Sequence, residues 1–261
     1  MEDLSRVEQS FTEAIKNRDF YVWYQPQIDM RTGSSRGGEA LVRWQRKDGA
    51  LIPPDRFVPA LEQAGLMPAL DEEVVKLVCK DACEAKQRGC LFGPVSVNLS
   101  RLHAGREGGP DWIRKVTAHY GIQPGEIFFE ITETAAEGED GAELMRFAHQ
   151  LQKEGYRIAM DDYGTGNSTL KLLQEIRFDI LKLDRHFVSR IGDPRADVIL
   201  ASTIDMAGRL GMEVVAEGVE TEEQIRFLME NQCYLGQGYY YSRPLTKEQY
   251  IRWRSRYEET V

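Results

Sequence analysis

Eight short runs rich in aromatic and β-branched residues punctuate the chain, and after the second they are spaced by roughly one strand plus one crossover helix. The first two, Phe20 to Ile28 and Ala40 to Trp44, flank the turn-like Arg31-Thr32-Gly33-Ser34-Ser35 and read as a hairpin. The other six are Pro94 to Leu99, Ile127 to Thr132, Arg157 to Met160, Ile180 to Leu183, Glu213 to Ala216 and Leu235 to Tyr241. Helix starts between them carry capping chemistry. Asp193-Pro194 is an N-cap followed by a first-turn proline, and Thr221 with Gln224 and Thr246 with Gln249 match capping boxes. Repeated βα units predict an α/β fold of the (β/α)8 or TIM-barrel type. A doubly wound open sheet is the alternative. The leading hairpin adds that one strand runs against its neighbours.

Residues 1 to 17 are expected to form a polar linker helix, with Leu4, Val7, Phe11, Ala14 and Ile15 at helical spacing, ahead of one domain over residues 18–261. Hydrophobic residues make up 42% of the 261, enough for one large core and too many for a disordered chain. Uncharged stretches reach only twelve residues, from Gly89 to Ser100 and from Asn231 to Ser242, whereas a membrane span needs roughly 20. The acidic start and only four cysteines point to a reducing cytoplasm, or to the cytoplasmic portion of a longer membrane-anchored protein. A net charge of −9 opposes binding of polymeric nucleic acid, so phosphate ligands need local cations. No glycine-rich phosphate loop is present. Cys79 and Cys83 suit a buried helix face better than zinc. His103, His119 and His149 are expected away from the strand ends, and His186 at a helix start.

Polar residues cluster at the carboxyl ends of the strand candidates: Glu39, Asn98, Glu130 with Glu133, Asp161-Asp162, Lys182 with Asp184, Glu217 and Gln237. In a barrel those ends share one mouth, where barrel enzymes place their chemistry. Residues two apart share a face of a strand, so Glu130 points inward, while Glu133 faces the other way and either supports the ligands from behind or anchors the following loop. Asp161 and Asp162 cannot both face inward from a regular strand, so the chain is expected to leave the sheet there, with Gly164 and Gly166 permitting the turn. Oxygen donors without clustered His or Cys select Mg²⁺ or Mn²⁺, and two such ions would suit hydrolysis of a phosphodiester. A buried salt-bridge network around Lys182 is the competing account.

Glu39-Ala40-Leu41 followed by Val42-Arg43-Trp44 resembles the signature of EAL domains, phosphodiesterases acting on the bacterial second messenger cyclic di-GMP. Further stretches resemble the family's other motifs in the same order. They include Tyr24-Gln25-Pro26, Leu51 to Phe57, Val97 to Ser100, Glu130 to Glu133, Asp161 to Gly166, Lys182-Leu183-Asp184, Ala216 to Glu220 and Gly236 to Tyr239. The resemblance implies a modified TIM barrel with one antiparallel strand and linear pGpG as product. It also implies that Glu39, Asn98, Glu130 and Asp161 hold a first metal, and that Asp161, Asp162 and Glu217 hold a second. Lys182 would orient the attacking water, Glu217 would act as general base, and Gln237 would line the site. Arg43 would meet a substrate phosphate, with Gln25 and Leu41 as further contacts and Glu133 pinning the loop from Asp162 to Thr169. Calcium would inhibit. A homodimer attached to sensory or GGDEF domains is implied. Asn167 and Thr169, and the stretch from Arg101 to Gly105, depart from the family's usual residues. Two rivals remain: a catalytically silent cyclic di-GMP receptor or scaffold, and a Schiff-base aldolase using Lys182.

Overall fold

Around Gly33, whose φ of +73° suits a residue without Cβ, the chain reverses between strands β1 (Phe20–Asp29) and β2 (Ser35–Gln45). The two pair antiparallel from Phe20–Trp44 to Ile28–Ser35, which makes the expected hairpin. A computed structural model describes residues 4–132, 141–164 and 169–258. The remaining strands are β3 (Leu51–Ile52), β4 (Val95–Asn98), β5 (Ile127–Thr132), β6 (Ile158–Tyr163), β7 (Ile180–Leu183), β8 (Glu213–Glu217) and β9 (Leu235–Gln237).

Among the described residues, β2 and β4 to β9 run parallel and β1 closes the ring by pairing antiparallel with both β2 and β9. The result is an eight-stranded TIM-type barrel with one reversed strand, and the open-sheet alternative is excluded. Short β3 lies outside the ring, paired to β2 at Trp44–Ile52. Helices alternate with the strands. Asp193 caps the Pro194–Arg209 helix by accepting from the Arg195 and Ala196 amides, and Thr221 with Gln224 forms the expected box.

Strand alternation sorts the residues into two cores. Outward side chains such as Tyr24, Val97, Phe129, Leu181 and Ala216 meet the helices in one large apolar sheath. The Leu4–Asn17 helix packs into it through Phe11 and Ala14, with the Phe11 and Phe20 rings 5.7 Å apart. Each fully buried Phe, Leu or Ile there contributes roughly 1.5–3 kcal/mol. Inside the ring, Phe128, Ala159, Ile180 and Val215 form a separate small cluster, with Leu235 packed against it. This apolar plug fills the amino-terminal half of the barrel and is the floor on which the polar residues stand.

β2 begins at Ser35 rather than Ala40, because its pairing with β1 continues down to the turn, and two further differences from the sequence reading shape the site. β6 does not leave the sheet after Met160 but continues to Tyr163 through a bulge, with its register shifting between Met160 and Tyr163. There Asp162 takes a left-handed φ of +55°. β9 ends at Gln237 rather than Tyr241, because the Tyr240 amide turns to the Val219 carbonyl and Ser242 to Gly238. That turn leads Leu245 to a bridge with Tyr24.

Candidate active site

On the inward face of the β1–β2 hairpin, Glu39, Leu41 and Arg43 alternate along β2 opposite Gln25, Trp23 and Tyr21 of β1. Two residues up the strands from the plug residues Phe128, Ala159, Ile180, Val215 and Leu235 come Glu130, Asp161, Lys182, Glu217 and Gln237, with Asn98 paired to Glu130 on neighbouring β4. The center of this layer is Lys182, which is 1% exposed. Its Nζ lies 2.7 Å from Glu130 Oε2, 2.7 Å from Glu217 Oε1, 3.0 Å from Asp161 Oδ1 and 3.4 Å from Glu39 Oε2. The β6 bulge sets both Asp161 and Asp162 against the single residue Lys182 on β7, between the Met160–Leu181 and Tyr163–Leu183 pairs.

Amides brace the rim. Gln27 donates to Gln237 Oε1 at 3.1 Å, and Gln237 donates to Glu39 Oε2 at 2.5 Å and to Gln25 Oε1 at 3.3 Å. Gln25 in turn donates to the Ser242 carbonyl at 3.2 Å. Asn98 is exposed at the mouth and donates to Glu39 Oε1 at 3.4 Å.

Four carboxylates thus converge on one ammonium above an apolar floor. Burial alone would lower Lys182, but Asp161, Glu130, Glu217 and Glu39 outweigh it and hold the ammonium well above its ordinary value. Burial raises Glu130 far above the carboxylate range, reinforced by its three acidic neighbours against the pull of Lys182. Burial likewise pushes Glu217 up to about 8, and pushes Asp162 up to about 6 with Asp161 and Asp184 adding repulsion. Buried charge without compensation is costly, so this layer calls for more positive charge than one lysine supplies.

Glu130 Oε1 is buried and has no hydrogen-bond partner among the described residues. Asp161 Oδ1 and Glu217 Oε1 stand at ion-pair distance from Lys182. A buried carboxylate oxygen left without a partner, as Glu130 Oε1 is, fits a hard divalent cation. Among the described residues no ready-made set of three or more His, Cys, Asp or Glu ligands exists, since the carboxylates are drawn onto Lys182 instead.

Leu41 and Arg43 line a cavity of about 380 Å³ that Asn98, Ser100 and Thr132 border beside the carboxylate layer. Burial lowers the half-buried Arg43 guanidinium from its ordinary value, against the attraction of Glu39 and Tyr239. A larger hollow of about 870 Å³, beside Arg146, Lys153 and Arg177, opens near the starts of β6 and β7, away from this chemistry. Glu133 and Asn167 lie outside the described residues. His186 is exposed in the first turn of the Arg185–Val188 helix, and Cys79 and Cys233 are buried free thiols.

His103 lies away from the strand ends as expected, at the end of the short Arg101–His103 turn beyond β4, but its role was not foreseen: it is 1% exposed and sets Nε2 3.1 Å from Asp71 Oδ2 while stacking on Trp112. The same Asp71 oxygen accepts the Ser100 amide at 2.8 Å, which fixes the corner just past Asn98. Asp71 could have been found as the acid among Leu70, Val74, Val75 and Val78 on an apolar helix face. Trp23 was also missed, although the period of two places it with Gln25.

The barrel, the acid-ringed lysine at its carboxyl mouth and the Glu-Ala-Leu strand define a member of the EAL domain family, and the chain belongs to it: the EAL domain model matches residues 8–244. The chain is 34% identical over 241 residues to "Probable cyclic di-GMP phosphodiesterase PdeB" of Escherichia coli K12, covering 92% of this chain and 46% of that protein. It is also 34% identical to "Cyclic di-GMP phosphodiesterase NbdA" of Pseudomonas aeruginosa, covering 92% and 31%. The chain therefore spans under half the length of these relatives. Among solved structures, "PaMucR Phosphodiesterase, c-di-GMP complex" superimposes with a TM-score of 0.85 at 31% identity, covering 94% of this chain and 99% of that one.

Proposed function

We propose that this domain hydrolyses cyclic di-GMP to linear pGpG with the help of Mg²⁺ or Mn²⁺ held at the carboxylate layer. The observation that carries this reading is the convergence of Glu39, Glu130, Asp161 and Glu217 on buried Lys182 at the barrel mouth. Relatives and a superimposable structure named for cyclic di-GMP supply the substrate. Glu39, Asn98, Glu130 and Asp161 would hold one ion, and Asp161, Asp162 and Glu217 a second. Bound divalent cations supply Lewis-acid polarisation of the phosphate and an activated water.

The chain's own groups do the rest. Lys182 stays protonated and donates toward the attacking water, orienting it in line with the scissile bond. Glu217, beside it, accepts the proton that the water gives up. The Arg43 fork grips a phosphate, Leu41 packs against the guanine side of the cavity, and Gln25 and Gln237 fix the hairpin against β9. The domain would act as a homodimer within a longer cytoplasmic signalling protein that carries sensory or GGDEF domains.

Incubation of purified protein with cyclic di-GMP and Mn²⁺, followed by chromatography, tests the reading. pGpG should form with Mn²⁺, vanish with chelator, and vanish with Ca²⁺ while binding persists, because looser calcium coordination misplaces the nucleophile. Glu39→Ala and Asp161→Ala should each abolish turnover. Binding without pGpG in Mn²⁺ would instead identify a receptor, and no binding at all would refute the reading.

A further inference from the structure

Arg43 has an unusual setting for a surface-reaching guanidinium in so acidic a mouth. Its Nη1 donates to the Val42 carbonyl of its own strand at 2.8 Å, and among the described residues no carboxylate forms an ion pair with it. Glu39, two places along the same face, attracts it only at longer range. What lies against the guanidinium is the Trp23 ring, whose centre is 5.3 Å from Arg43 Cζ. Strand register makes this contact. Trp23 sits opposite Leu41 and Tyr21 opposite Arg43, so Trp23 and Arg43 are diagonal neighbours on the inward face.

An indole is the strongest of the aromatic partners for a cation, and the attraction grows when the pair is partly desolvated, as half-buried Arg43 is. Arg43 Cζ lies over the ring, and among the described residues the guanidinium's hydrogen bond is to the Val42 carbonyl, which leaves its other N–H donors for an anion. A free arginine side chain carries about 2 kcal/mol of rotamer entropy, and a chain already held gives up less of it on binding.

We propose that Trp23 is a positioning residue that holds Arg43 at the mouth in the conformation that meets a substrate phosphate. The proposal rests on the reading of this site as one for cyclic di-GMP. It differs from a role in which Trp23 stacks on a base by itself, because positioning works only through Arg43.

A double-mutant cycle separates these roles. Affinity for cyclic di-GMP is measured by calorimetry in calcium for the full chain as wild type, Trp23→Leu, Trp23→Phe, Arg43→Ala and the Trp23→Leu/Arg43→Ala pair. Trp23→Leu should weaken binding about tenfold and Trp23→Phe about threefold, in the range of a partly buried cation–π contact. The paired variant should bind no more weakly than Arg43→Ala alone. In Mn²⁺ turnover, Trp23→Leu should raise KM about tenfold with kcat within about twofold, a split that a general loss of structure does not give.

Unchanged affinity in Trp23→Leu, or losses that add in the paired variant, would overturn the proposal. Circular dichroism reports whether each variant folds. If Trp23→Leu does not, Trp23→Phe with its own Arg43→Ala pair completes the cycle, and zero coupling there overturns it equally. Absence of any binding by folded wild type would instead bring down the cyclic di-GMP reading on which the proposal stands.

Discussion

Lys182 occupies the place where a water-filled barrel would hold solvent, and its position follows from simple accounting of charge. The layer below it is apolar, the four carboxylates around it are held by four different strands, and no rearrangement of one strand can remove the repulsion. Lys182→Met should therefore lower the stability of the metal-free protein by about 3–5 kcal/mol, the usual cost of removing one partner from a buried ionic cluster. Mn²⁺ should restore much of the loss in thermal melts by supplying the missing positive charge, while turnover stays absent. A melt unchanged by the substitution would mean that the carboxylates are not ionised around this residue. The inward acids and the lysine were legible in the sequence because charge is conspicuous inside an apolar run with a period of two. The Asp71–His103 pair was not, because its halves are 32 residues apart and nothing local joins a helix acid to a histidine beyond the next strand. Trp23 was hidden for the opposite reason, since an aromatic residue in a strand is ordinarily core.

Elements bring these residues to their places through backbone details that periodicity does not carry. The run of strands and the hairpin were readable, and Ile127–Thr132 and Ile180–Leu183 have the expected bounds. The bulge in β6 was not, since only the left-handed backbone of Asp162 reconciles two adjacent acids with one continuing strand. The end of β9 was also misjudged, because it depends on Gly238. A Cβ there would collide with the Val219 backbone, which cannot yield without moving the loop after Glu217. Gly238→Ala should cost about 1–3 kcal/mol or more by overpacking and weaken cyclic di-GMP binding by shifting Gln237; urea unfolding and calorimetry measure the two effects. At the β4 corner, His103→Ala leaves the buried Asp71 oxygen with only the Ser100 amide and removes a ring stacked on Trp112 and Phe147. A loss of about 3–5 kcal/mol in urea unfolding is expected, comparable to deleting a buried aromatic. His103→Gln, which retains a donor for Asp71, should lose less. Equal losses would show that stacking alone holds the corner.

Across the whole molecule the sheath between barrel and helices contains ionisable groups that the fold keeps neutral. Burial pushes the Cys79 and Cys233 thiols up to about 12 each, and raises Tyr24 well above its ordinary value, with Asp81 adding to the effect. In the unfolded chain these groups lose their protons earlier, near pH 9 for the thiols. Above that point the folded state binds more protons than the unfolded one, so stability falls as pH rises. The contribution is intact below about pH 9 and declines toward pH 12. One pH unit of that window corresponds to about 1.4 kcal/mol per thiol, so moving from pH 9 to pH 10 should cost the native state about 2–3 kcal/mol from the two together. For a chain of this size that is a fall of about 5–10 °C in Tm by calorimetry. A Cys79→Ala/Cys233→Ala variant starts lower because of the cavities it creates, yet its Tm should fall less steeply over the same interval. Thiol reagents at pH 8 should accordingly leave Cys79 and Cys233 unmodified until the protein is unfolded. Parallel slopes for the two proteins, or rapid labelling of four thiols in the native state, would mean that the sheath admits water and that the barrel wall is less tightly closed than its packing requires.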